Sequence, residues 1–63
     1  MNLNLSPDDR TTIIGALRVA AEVYRLDAVR VRGYASTHPH LAPHAEQFDE
    51  QATKAETLAS FLE

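Results

Sequence analysis

Three histidines fall within one short stretch, His38-Pro39-His40-Leu41-Ala42-Pro43-His44, in a chain with no cysteine. His40 and His44 are four apart, the spacing at which two imidazoles on one helical face can share a zinc ion, with His38 or Glu46 as a third ligand. Against a metal centre stand Pro39 and Pro43, which restrict the backbone, and the absence of an HExxH motif. The structural alternative accounts for the prolines: one of them starts a second helix, and the histidines are solvated residues of a corner. A pH-sensitive corner is a variant of the same reading, because imidazole changes charge near neutral pH.

Two further groupings could bind an anion. Arg30 and Tyr34 with the histidines would combine a stacking ring and cationic donors, which suits a nucleotide or another phosphorylated small molecule. Arg10 and Arg18 could do the same at the far end, together with neighbouring subunits. The plain alternatives are solvated or ion-paired arginines and a tyrosine that packs at the corner beside His44. Catalysis has little to build on: Ser6 is better explained as a helix cap, and Ser36 near His38 lacks an orienting acid and an oxyanion hole. No catalytic residue, cofactor or resident metal is assigned, and the chain is read as a non-enzyme.

The elements that position these residues are legible. Ser6-Pro7-Asp8-Asp9 has a capping hydroxyl, a proline for the first helical position and two carboxylates where the helix dipole favours negative charge. From there Ile14, Leu17, Ala21, Tyr24, Ala28, Val31 and Ala35 recur at alternating steps of three and four, one seam of a long helix. Leu41, Ala45, Phe48, Ala52, Ala55, Ala59 and Leu62 repeat the rhythm in a second. The expected fold is all-α, a single-domain antiparallel hairpin over residues 1–63 with helices at about 7–36 and about 40–62. Gly33 could end the first helix early, but a helix carries an interior glycine at a cost of about 1 kcal/mol relative to alanine, and a helix running on to about Ser36 is preferred.

Flanking charges test the closure. In an antiparallel pair, facing residues have numbers with a constant total. Arg18 with Glu63, Arg25 with Glu56 and Arg32 with Asp49 all share one total, and the two seams close in the layers Ile14–Leu62, Leu17–Ala59, Ala21–Ala55, Tyr24–Ala52, Ala28–Phe48, Val31–Ala45 and Ala35–Leu41. The reversal then centres on His38. Each exposed pair is worth only roughly 0.2–1 kcal/mol, so the charges select register more than they stabilise it.

A second apolar stripe, Ala16, Val19, Val23 and Leu26, lies about 200° around the first helix from the seam. The outer positions of the second helix are polar: Glu46, Gln47, Glu50, Thr53, Lys54, Thr57 and Ser60, with Leu58 and Phe61 at its end. Sixty-three residues without disulfides rarely build a self-sufficient core. The chain is therefore expected to be a homo-oligomer, at least a dimer, with the first helix in the middle of a four-helix bundle. A twofold pairing sets Val19 against Val23 and Ala16 against Leu26. Ile13, Leu58 and Phe61 could extend the assembly further.

Six Lys and Arg against nine Asp and Glu give a net charge of −3, with no global attraction to nucleic acid or anionic membrane. Met1 to Leu5 holds no basic residue and no apolar run suited to a signal peptide or a spanning helix, so a cytoplasmic protein is expected. In length and seams the chain resembles the Rop-type plasmid RNA-binding hairpins, whose subunits dimerise into a four-helix bundle. Here the outward face of the first helix is Val19, Val23 and Leu26 where an RNA-binding surface would be basic, which disfavours RNA. With its start Leu5-Ser6-Pro7-Asp8-Asp9-Arg10-Thr11-Thr12-Ile13-Ile14-Gly15-Ala16-Leu17 and its end Ala55-Glu56-Thr57-Leu58-Ala59-Ser60-Phe61-Leu62-Glu63, the chain also resembles short acidic helical hairpins encoded by phages. That resemblance implies an accessory or anti-defence role against a host protein or a cyclic nucleotide. The functional expectations are thus a helical binding module first, a sponge sequestering an anionic nucleotide second, and a metal-binding corner third.

Overall fold

A computed structural model describes residues 4–63. Met1, Asn2 and Leu3, part of the segment considered above for a leader, lie outside the described residues. Helix α1 spans Pro7–Ala35, a 3-10 turn Pro39–Leu41, and helix α2 Ala42–Leu62. The two helices lie side by side in one layer, within overall dimensions of 48 × 20 × 14 Å. That cross-section is two helix diameters by little more than one, so each helix meets a partner on one side only.

The start of α1 forms as its residue types require. Ser6 accepts a hydrogen bond from the Asp9 N–H at 3.1 Å, Pro7 opens the helix, and Asp8 and Asp9 occupy the first turn. Gly33 sits inside the helix without a positive φ, so it is carried, as expected, rather than used as a stop. Termination comes two residues later. Thr37 and His38 both donate their N–H groups to the Tyr34 carbonyl at 3.1 and 2.8 Å, while the Ser36 hydroxyl donates to the Gly33 carbonyl at 2.8 Å. Pro39 has no N–H for the Ala35 carbonyl, and the helical ladder ends there.

One boundary differs from expectation. The second helix, expected from about residue 40, is preceded by a 3-10 turn over Pro39–Leu41 and begins at Ala42. Pro43 is the reason. It cannot donate to the Pro39 carbonyl, which is instead taken by the Ala42 N–H in a tighter bond, and the α-helical ladder starts only beyond it.

Between the helices, the buried side chains among the described residues are all alanine: Ala21, Ala28, Ala45, Ala52, Ala55 and Ala59. The larger seam residues Ile14, Leu17, Tyr24, Val31, Phe48 and Leu62 are half-buried along the same line. Leu17 and Tyr24 cover the central cluster of Ala21, Ala52 and Ala55. Tyr24 and Phe48 sit in neighbouring layers, each placed opposite an alanine, and their rings meet at 6.3 Å between centroids, tilted by 30°. Alanine across the seam leaves the room for that diagonal contact.

Candidate functional site

The flank of the hairpin that carries the charges is closed by ion pairs in the expected register: Arg18 with Glu63, Arg25 with Glu56 and Arg32 with Asp49. Arg25 also reaches Asp49 at 3.8 Å, so the latter is shared between two arginines. A shallow cavity of about 430 Å³ lies along this flank, floored by Ala21 and walled by Arg18, Glu22, Arg25, Glu56 and Ser60. Its two cations already face carboxylates. Periodicity alone does not show the shared Asp49 or this cavity, although the two-turn spacing of Arg25 and Arg32 on one face is a usable signal.

The residues considered for an anion pocket at the corner come from three elements and the link before the turn: Arg30 and Tyr34 from α1, His38 from the link, His40 from the 3-10 turn and His44 from α2. Arg30 is largely exposed and pairs along its own helix with Asp27 at 3.6 Å. Tyr34 is 64% exposed. His44 lines a different shallow cavity of about 330 Å³, walled by Tyr24, Gln47, Phe48, Glu50 and Gln51, and Tyr34 is not among its walls.

His38 and His40 meet edge to face at 6.0 Å, and the Nδ1 of the first lies 2.9 Å from the Thr37 hydroxyl. The 3-10 turn separates His40 from the α-helical turn that holds His44, so the i, i+4 geometry expected of a shared zinc ion is not set up by one continuous helix. Among the described residues, no three or more His, Asp and Glu side chains are grouped so as to hold a metal ion. At the opposite end, Arg10 is exposed in the opening turns of α1, while Arg18 is committed to Glu63.

The outer face of α1 is the feature that the fold leaves without a neighbour. Val19, Val23 and Leu26 are 59, 49 and 58% exposed, and Ala16 lies exposed beside them. The helix periodicity that buries Ala21 and Ala28 turns these residues away from α2. On α2 the outward positions are polar until its last turns, where Leu58 and Phe61 are 53 and 87% exposed. Among the described residues no helix is long and apolar enough to cross a membrane.

Fold and site together define an all-α helical hairpin with one apolar outer face. Comparison of the chain with protein-family models, with characterised proteins and with solved structures finds no match.

Proposed function

We propose that the protein is a non-enzymatic, homo-oligomeric helical binding module, in which the outer face of α1 joins hairpins into a bundle of at least four helices. The observation that carries this reading is an inversion of residue size. The buried side chains among the described residues are all alanine, while Val19, Val23 and Leu26 stand about half-exposed on one contiguous face. A buried valine or leucine is worth ~1.5–3 kcal/mol, so covering the exposed half of each side chain contributes roughly 1 kcal/mol. Alanine returns far less per residue, which leaves a lone hairpin of this length short of core. Association supplies the missing burial.

Ligand sequestration has less support, since Arg18, Arg25, Arg30 and Arg32 all face carboxylates on their own chain. Native mass spectrometry of the protein as purified tests the proposal. An even-numbered oligomer without added small-molecule mass is expected, and the double substitution Val19→Glu, Val23→Glu should reduce it to monomer. An unchanged assembly mass in that variant would sink this interface.

A further inference from the structure

Gly15 has no role in the hairpin. It lies in the interior of α1, its φ is not positive, and a Cβ built there meets nothing within 4 Å. A glycine at such a position costs about 1 kcal/mol of helix stability relative to alanine and returns nothing to this fold. Its neighbours around the helix are informative. Thr12, Gly15, Ala16 and Val19 follow the i, i+3, i+4, i+7 pattern that forms a hole for an incoming side chain, with the two smallest residues at its centre. The hole borders the exposed apolar stripe, and the largest side chain of that stripe is Leu26.

Resting on the oligomer reading above, we infer that the occupant of this face is a second copy of the chain, docked antiparallel so that its Leu26 enters the hole around Gly15. A single twofold axis satisfies both ends. When Leu26 of one copy is level with Gly15 and Ala16 of the other, Val19 of each lies level with Val23 of its partner, and the exchange is reciprocal. Helix geometry also places Leu26 and Gly15 toward the same side of the stripe, about 20° apart around the axis, as a twofold contact requires.

Charge complementarity fixes the direction. One turn beyond Leu26, Arg30 has a side chain 73% exposed, and its ion pair among the described residues is the Asp27 contact at 3.6 Å. In the antiparallel register it comes level with Thr12 of the second copy, one turn from the exposed carboxylates of Asp8 and Asp9. Two such meetings form per dimer. A parallel arrangement would set Arg30 against Arg30 and Leu26 against Leu26, leaving like charges adjacent and the hole unfilled.

The test is a bump-and-hole cycle on the full chain, read by sedimentation equilibrium with helix content followed by circular dichroism. Gly15→Leu fills the hole and is expected to weaken dimerisation by about tenfold or more, while helix content stays equal or rises because leucine is the better helix former. Leu26→Ala on the same chain should restore association to within about threefold of a Leu26→Ala control, because the added leucine now meets a vacated position. Undiminished dimerisation of Gly15→Leu overturns the register. Loss without recovery in the double variant overturns Leu26 as the occupant. Retention of the oligomer in Val19→Glu, Val23→Glu overturns the underlying reading instead, so the two failures are distinguishable.

Discussion

Helices α1 and α2 meet through seams of the same rhythm, yet their outer faces differ: α1 turns Val19, Val23 and Leu26 outward, whereas α2 presents Glu50, Thr53, Lys54 and Thr57 over the matching length. The shared seam decides how the hairpin closes. The unshared faces decide where a neighbour can add, because only one of them gains from losing water. A hairpin built this way has alanine at its most buried positions and larger apolar residues exposed on one outer face.

The sharpest way to break the contrast is to make both faces polar. Val19→Glu with Val23→Glu should abolish assembly, whereas Thr53→Glu with Thr57→Glu, on the outside of α2, should leave the assembly mass unchanged. The two variants carry the same added charge, so a difference between their native mass spectra reports the face and not net charge.

Overpacking the seam comes next in size. Ala28 is completely buried, and Ala28→Leu should destabilise the hairpin by about 1–3 kcal/mol, because the facing helix must shift to admit three more carbon atoms. The matching enlargement on the outer face of α2, Thr53→Leu, should leave the helices' own closure unaffected. Thermal melts at matched protein concentration compare the two.

Smaller effects sharpen the reading of the corner and the charged flank. Gly33→Ala should stabilise by about 0.5–1 kcal/mol, since the position is helical and a methyl group meets open space. A fall in melting temperature would show that Gly33 is needed by a contact outside the single hairpin. Arg25→Glu sets three carboxylates together with Asp49 and Glu56; a loss of roughly 0.5–1 kcal/mol is expected. The charge-swapped pair Arg25→Glu, Glu56→Arg should recover only part of it, because Asp49 keeps its place beside the new glutamate. Equal melting of the two variants would show that the ladder is decorative.

Much of this fold was legible in the residues. The seams, the cap at Ser6 and the flank pairs of Arg18, Arg25 and Arg32 each follow from local rules, namely helix periodicity, side-chain capping and the fixed register of an antiparallel pair. The corner was harder to read. Pro39 and Pro43 both announce a helix start, and periodicity does not rank two adjacent starts; the 3-10 turn resolves them because the Pro39 carbonyl finds its donor in Ala42. The candidate ligand cluster of Arg30, Tyr34, His38, His40 and His44 is not defined by periodicity for a related reason. These residues are neighbours along the chain, but they come from α1, the 3-10 turn and α2, and Arg30 lies 3.6 Å from Asp27 on its own helix.

The sequence by itself determined that this chain forms two helices, where the first begins, which residues line the seam and in which register the seam closes. Those properties depend on spacing along the chain, and a helix converts spacing directly into direction. Only the tertiary structure decided that the buried positions among the described residues are occupied by alanine alone, that Tyr24 lies against Phe48 and not simply over Ala52, and that Gly15 stands beside open space. These depend on how closely two particular surfaces approach, which is set by every side chain between them at once and by no single residue's place in the repeat.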